Sequence, residues 1–565
     1  MGVARTKSPS VTQFLLRSNK HTVNLITNGL IIEMSHTEPG QKTADAHLLW
    51  VAGKEKIGGG DILPIENPAT GEIFAHCHTA SAQDVDQCIE QANDAFIAGT
   101  WSKAPRHFRA DVLDQAATLL SEQLPELIDL EVLQTGRAVR EMKAQVPSLV
   151  KWFRYYAARL RVDERHVLPT TGSLHNWVDR VPLGVCALIT PFNHPLLIAV
   201  KKVAPALAAG NSVVLKPSEL TPITSLQLGR ILRDAGLPEG VFSVLPGLGV
   251  ETGKQLVSHR LVRKVDVTGS TAAGRAIGAI AGGNLARFNA ELGGKAPLVV
   301  FETSDLDAAV NGIVFGAFVA SGQTCVAVTR VLVHKSILGA LTEKLSEKCN
   351  SIVRRIGDPK NPLSMMGPLI SSKQLSGVQR LVDAAVASGN ARLLCGGQRM
   401  SGVSPLDGFD LSKGYFFPPT VLCGTNPDGS NVCATDLWYE EAFGPVVVVA
   451  SFQDEGHAVR LANDTSFGLG AGIWTRDLSQ AFRVSEQIEA GIVWVNTHHR
   501  NDPSSPWGAH GTRSDSGLGT ENGAEAYMAY TAPKSVVINY ASTETALREE
   551  DWFREDQSGG AVRYG

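Results

Sequence analysis

The sequence predicts an α/β protein: two consecutive α/β domains plus a small β element. Three observations carry this. Apolar runs of four to seven residues alternate with helical segments along most of the chain. These runs are apolar throughout rather than every second residue, the mark of parallel strands covered on both faces. The alternation restarts after Gly294, so a second unit follows the first. The length of 565 residues agrees, since one compact core takes roughly 150.

In chain order, 184–190 reads as a buried strand, 196–209 as an apolar helix and 212–215 as the next strand. A helix over 223–235, a strand at 242–245, a strand at 264–267 and a small-residue helix over 271–281 complete the first unit. The second opens with a strand at 298–301 and a helix across 306–319, with later strands near 446–452 and 492–495. Right-handed crossovers are expected in each. Two segments belong to neither unit. Residues 166–180 alternate about Thr170-Thr171-Gly172 and read as a hairpin, and 535–540 is a lone late strand. Exposed strand edges are usually paired or covered, so these two suit a subunit interface, with an ordinary surface hairpin as the alternative.

The ends differ from the middle. Arg5, Lys7, Arg17 and Lys20 all precede the first acid, Glu33. Residues 1–50 are read as an N-terminal extension, either disordered or a mitochondrial targeting segment. Residues 541–565 form an acidic, polar tail. Between them the expected layout is a cofactor-binding domain over 51–292, carrying the 166–180 hairpin, and a catalytic domain over 293–500. Residues 501–540 then return to the first domain and supply the late strand.

Composition excludes several classes. Lys and Arg number 52 against 56 Asp and Glu, a net charge of −4, so no polybasic field for nucleic acid is expected. The apolar stretch 195–210 is interrupted by Lys201 and Lys202, and no membrane span is expected. The eight cysteines form no Cys-x-x-Cys pair and no metal-ligand spacing with histidine. No metal is expected, and scattered cysteines suit a reducing compartment such as the cytoplasm.

Six short stretches carry chemistry. Pro191-Phe-Asn-His-Pro195 ends one strand and Lys216-Pro-Ser-Glu219 the next. Gly269-Ser-Thr-Ala-Ala-Gly274 joins a strand to a helix. Glu291-Leu-Gly-Gly-Lys295, Ser321-Gly-Gln-Thr-Cys325 and Glu440-Glu-Ala-Phe-Gly-Pro445 follow. Ligands of open α/β sheets bind beyond the carboxyl ends of strands, which gathers the first three in one crevice. The Gly269–Gly274 spacing differs from Gly-x-Gly-x-x-Gly, yet it still opens a helix whose free N–H groups suit a phosphate. Lys216 can donate to ribose hydroxyls and Glu219 can accept from them. Cys325 alone among the cysteines lies in a glycine-containing polar loop, where a thiolate nucleophile is plausible chemistry. Glu291 stands beside Leu292 and two glycines, an apolar setting that raises a carboxyl's pKa toward general-base use. The Asn193 amide can donate to an oxyanion. Singly, each has a plain alternative: a structural cysteine, an exposed glutamate, an Asx-turn.

Together these stretches resemble the NAD(P)-dependent aldehyde dehydrogenase superfamily over roughly residues 50–540, starting at Asn67-Pro-Ala-Thr-Gly-Glu72. The most specific parts are Glu291-Leu-Gly-Gly-Lys295 and Gly322-Gln-Thr-Cys325, whose Glu291 and Cys325 are 34 positions apart. The resemblance implies a Rossmann-like cofactor domain, a catalytic domain and a β oligomerisation element, assembled as a homodimer or homotetramer. It implies Cys325 as nucleophile, Glu291 as general base and Asn193 in the oxyanion hole. It places Lys216 and Glu219 at the adenosine ribose, and Gly269, Ser270 and Gly274 at the pyrophosphate. Glu441 would hold the nicotinamide ribose with Phe443 beside it, and Thr190, Pro191 and Phe192 would complete the cofactor wall. The implied reaction is oxidation of a small aldehyde to a carboxylic acid, with NAD preferred over NADP. A cofactor-independent thiol hydrolase and a non-catalytic binding relative are the competing classes. Phe192, His194, Thr324 and Val326 are expected around the substrate. His498, His499 and Arg500 follow a strand at the implied substrate mouth, where Arg500 either meets an anionic substrate or pairs with Asp502. Departures from the family pattern are Ser321 for an asparagine, Thr520 for an arginine, and extra residues over 506–520 and 431–439.

Overall fold

Strands whose every residue is buried need helices on both faces, and that requirement organises the chain. The structure, a computed structural model, describes residues 22–27, 30–35, 46–550 and 555. Much of the expected N-terminal extension and most of the acidic tail lie outside the described residues. Within that extension, Thr22–Thr27 and Leu30–Ser35 pair as antiparallel strands and form a unit of their own. The main body starts at His47, earlier than expected, because Leu49–Val51 joins the edge of the first sheet.

That sheet has eight strands. Its parallel centre runs Arg287–Glu291, Val262–Thr268, Val185–Ile189, Ser212–Lys216 and Phe242–Val244. Short antiparallel strands close it: Gly517–Leu518 beside Arg287–Glu291, and Leu49–Val51 with Lys54–Lys56 at the far edge. Val185–Ile189 lies centrally, so the loop after it opens among three strand ends. The helices Pro195–Ala208, Ile223–Asp234 and Thr271–Gly283 stand where the apolar periodicity puts them. Pro195–Ala208 is buried along its whole length, two lysines included.

The second sheet has seven strands, in the order Ala391–Cys395, Thr420–Gly424, Val446–Phe452, Val328–His334, Ala296–Val300, Gly470–Trp474 and Ile492–Val495. All neighbours are parallel except the first pair. The third sheet joins both unassigned segments. His166–Leu168 and Thr531–Asn539 flank Leu174–Pro182, both antiparallel to it. The late strand thus begins at Thr531, four residues before the apolar signal at Ser535.

The sequence reading says nothing of the helices Ala82–Ala98, Arg106–Glu122, Leu124–Thr135 and Val150–Arg161. They pack on the first sheet through residues such as Leu113, Leu120, Trp152 and Phe153, all in one core with Leu188 and Val213. No described helix is long and apolar enough to cross a membrane.

Candidate active site

The site lies where the two large sheets meet. Glu291 is the last residue of Arg287–Glu291, held between Thr268 on one side and Gly517 on the other. Leu292, Gly293 and Gly294 then carry the chain into the second sheet, starting at Ala296. Glycine is required at 294, because a Cβ there would collide with the Cys325 carbonyl. The Cys325 loop and the Glu291 segment therefore touch backbone to backbone.

Cys325 follows a tight turn in which Ala320, Ser321 and Gly322 all take positive φ (53°, 56° and 72°). Such a run in non-glycine residues costs about 1–3 kcal/mol each unless the surroundings fix it. Here they do. The Ser321 hydroxyl donates to the Gly367 carbonyl at 2.7 Å, and a Cβ on Gly322 would strike Gly444. Gln323 braces the same loop, donating to Ala320 O and accepting from the Ile370 N–H at 3.0 Å. Ser321 thus has a definite job at the position where asparagine was expected.

One cavity of about 380 Å³ is lined by Cys325, Glu291 and Asn193 together, with Thr324, Phe192 and His194. Burial pushes the Cys325 thiol up to about 12, and the nearby Glu291 and Glu441 charges push the same way. Glu291 is buried, and neither carboxyl oxygen meets a hydrogen-bond partner in the protein. Burial, then the Glu521 charge, holds its pKa well above the ordinary carboxylate range, against the pull of Lys201 and Lys202. A buried, unbonded carboxyl costs stability. It is suited to holding a water or a proton. The Asn193 amide donates one N–H to the Gln323 carbonyl at 2.7 Å, which fixes the plane of the group and leaves its second N–H free to aim at the cavity.

The expected cofactor residues extend from this cavity toward the strand ends. Pro191, Phe192, Gly269, Ser270, Glu441 and Phe443 line it. Phe192 and Phe443 meet edge to face with centroids 5.7 Å apart. The Glu441 carboxylate accepts from the Gly294 N–H at 2.9 Å, and burial raises its pKa to about 7. Lys295 donates to the Glu440 carbonyl at 2.6 Å and so fixes the segment that carries Glu441. Ser270 caps Thr271–Gly283 by accepting from the Ala273 N–H. Gly274 sits a turn deeper, where a Cβ would run into Leu292, so its smallness serves helix packing. Lys216 is buried and donates to the Pro217 carbonyl at 2.8 Å, with Glu219 at 3.5 Å. Thr190 is buried with its hydroxyl unpartnered.

These residues fit a dinucleotide. A helix N-terminus capped by Ser270 at the Ala273 N–H, a buried ammonium with donors to spare and an unpartnered Thr190 hydroxyl stand along one run of strand ends. NAD bound there would have Lys216 and Glu219 at one end and Glu441 and Phe443 at the other.

Two expected substrate neighbours lie elsewhere. Val326 is buried against Trp494 and Leu469. His498 points inward and donates from Nε2 to the Val326 carbonyl at 2.8 Å, while His499 does line the cavity.

Sequence reasoning missed a buried charge cluster beneath Glu291. Lys201 meets Glu521 at 2.7 Å and lies 4.6 Å over the Trp507 ring. Lys202 bridges Asp266 and Glu521, the latter at 2.5 Å. The Tyr530 hydroxyl donates to Asp266 at 2.7 Å. Burial disfavours the Glu521 and Lys202 charges, but their pairing outweighs it: Glu521 is drawn down to about 2 and Lys202 is raised. The available signal was two adjacent lysines inside a wholly apolar helix, a costly placement unless they are paired.

Comparison with known proteins agrees with this geometry. The model of the aldehyde dehydrogenase family matches residues 55–536. Aminoaldehyde dehydrogenase 1, peroxisomal, of Malus domestica is 37% identical over 481 residues, 84% of this chain and 92% of its own. The crystal structure of PnpE in complex with nicotinamide adenine dinucleotide shares 36% identity with a TM-score of 0.82, covering 88% of this chain and 98% of that one. Betaine aldehyde dehydrogenase of Staphylococcus aureus, solved with NAD+, shares 30% identity with a TM-score of 0.83, covering 89% and 97%. The chain belongs to the aldehyde dehydrogenase family.

Proposed function

We propose that this chain oxidises an aldehyde to a carboxylic acid with NAD, using Cys325 as nucleophile and Glu291 as general base. The observation that carries the reading is their convergence on one cavity, with both Glu291 oxygens free of protein partners. Cys325 gives its thiol proton to solvent water at the cavity mouth as its sulfur bonds to the carbonyl carbon. The free Asn193 N–H and the Cys325 backbone N–H stabilise the oxyanion. Nicotinamide held by Glu441 and Phe443 would supply the hydride acceptor needed to take this adduct to a thioester. Glu291 then takes a proton from water as that water attacks the thioester, and the Cys325 sulfur leaves. The test is reduced-nicotinamide absorbance with a panel of aldehydes. Ester or thioester cleavage without reduced cofactor would favour the thiol hydrolase instead.

Because the Glu291 carboxyl is held above its usual range, turnover should rise with pH well beyond about 4.3, where a free glutamate ionises. The carboxylate is the active form, so activity is lost on acidification. A pH–kcat profile measures this, and Glu291→Gln should remove the limb.

Cofactor choice follows from Glu219. A carboxylate accepts from ribose hydroxyls and repels a 2′-phosphate. Two charges at about 4 Å interact by roughly 4 kcal/mol at an effective dielectric near 20. The Glu219 side chain is 40% exposed, so solvent screening brings this to about 1 kcal/mol or less. NAD should exceed NADP severalfold in kcat/KM, and Glu219→Gln should narrow the gap; equal values in the parent would reject it.

The three-stranded sheet supports assembly as a homodimer or homotetramer. Val167, Val537, Ile538 and Tyr540 beside it are exposed at 46–66%, and an edge of this kind is usually paired. All eight cysteines are free thiols, which supports the cytoplasm as compartment, with a mitochondrial address through the basic N-terminus as the alternative.

A further inference from the structure

We propose that a second chamber beside the catalytic cavity seats a carboxylate, so that the enzyme prefers aldehydes whose far end is anionic; this rests on the reading that the aldehyde reaches Cys325. The chamber has a volume of about 720 Å³ and adjoins the first through His194, Leu197, His499 and Asn501, which line both. Its wall carries Arg140, Lys348, Arg355 and Arg500, from three separate parts of the chain.

None of these four has a carboxylate partner among the described residues. Arg140 reaches the Met365 sulfur. Arg355 donates to Ser351, to its carbonyl at 3.2 Å and its hydroxyl at 3.0 Å. Arg500 donates from Nε to the Thr497 hydroxyl at 3.2 Å. The pairing of Arg500 with Asp502 that the sequence left open does not form, because Asp502 accepts instead from Ser504, at 2.9 Å from its N–H and 2.5 Å from its hydroxyl. Glu141 is the one carboxylate on the wall, and it is already engaged by Arg137 at 3.0 Å and by the Ala320 N–H. Arginines elsewhere do find acids: Arg161 pairs with Asp111 and Asp114, Arg483 with Glu455 and Arg513 with Glu489.

Apart from the Arg137–Glu141 pair, the wall is therefore a set of like charges without a counter-charge. Converging cations raise the local concentration of an anion, and arginine forks match a carboxylate in two-point geometry. Phe315, Phe318 and Met366 line the space between, suited to an apolar body. An ammonium head would meet four cations. The ligand that satisfies this surface is an apolar chain with an aldehyde at one end and a carboxylate at the other.

The test compares ω-oxononanoate with its methyl ester in the parent and in Arg140→Gln/Arg500→Gln. The parent should favour the carboxylate at least tenfold in kcat/KM, the preference should weaken with added salt, and the double variant should bring the ratio to within twofold of one. A ratio near one in the parent, or unchanged in the variant, overturns the proposal. A second arm needs no turnover: by calorimetry, nonanedioate should bind more tightly than its monomethyl ester, and the double variant should erase the difference. Equal binding also overturns it. Oxidation of the ester without preference for the acid would sink the anion site and leave the dehydrogenase reading standing. Selective nonanedioate binding without reduced cofactor from any aldehyde would do the reverse.

Discussion

Cys325→Ala abolishes oxidation: kcat/KM falls by roughly 10⁴–10⁶-fold, the loss expected when a covalent nucleophile is removed from an otherwise intact site. No first-turnover burst of reduced cofactor should remain, because without the sulfur there is no adduct from which hydride can leave. The fold should not suffer. Cys325 is partly exposed into the cavity, and its loop is held by Ser321 and Gln323 rather than by the thiol. Unfolding midpoints of parent and variant should therefore coincide. Substantial NADH formation by the variant would remove Cys325 from the mechanism.

Lys202→Met should be the most damaging change to stability near the site. It leaves Asp266 and Glu521 fully buried with one ammonium fewer, and breaking a buried pair from one side costs about 3–5 kcal/mol. The urea midpoint should fall accordingly. Adding Asp266→Asn should recover part of the loss, because it removes the carboxylate left without an ammonium, whereas Glu521 keeps Lys201. These effects will not add, since Lys201, Lys202, Asp266 and Glu521 form one network. A catalytic signature should accompany the instability. Lys202 is one of the charges that hold the Glu291 pKa down, so its loss should move the acidic limb of the pH profile to higher pH. An unchanged midpoint would mean that the cluster contributes nothing to the fold.

The extent to which the sequence discloses this protein follows from distance along the chain. Buried parallel strands are written locally, as apolar runs, so Val185–Ile189, Ser212–Lys216 and Val446–Phe452 could be read directly. Their order then put Asn193, Lys216 and Gly269 at neighbouring strand ends. Glu291 was legible only through its surroundings; that it ends a strand clasped by Gly517 depends on a pairing between segments far apart in sequence. The same holds for Lys202 and Glu521, separated by 319 positions, where each residue alone looks unremarkable and only the pair explains the burial. The cationic chamber was partly visible through Arg500. Arg140 and Lys348 sit on helices, and Arg355 in the turn after the second, whose facing could not be known without the packing. Gly274 differs: the sequence reading assigned it to a phosphate, and the packing reason for glycine there is Leu292.

The central claim is that a thioester on Cys325 is hydrolysed by water that Glu291 activates. Glu291→Gln tests it most directly, by rapid mixing with an aldehyde and NAD followed by intact-protein mass. Removing the Glu291 charge also removes one of the causes that hold the Cys325 thiol up, so acylation is not slowed on that account. The account predicts a burst of NADH near one per active site, then slow turnover, with the acyl mass retained on Cys325. Steady turnover like the parent's, with no acyl adduct accumulating, would contradict it.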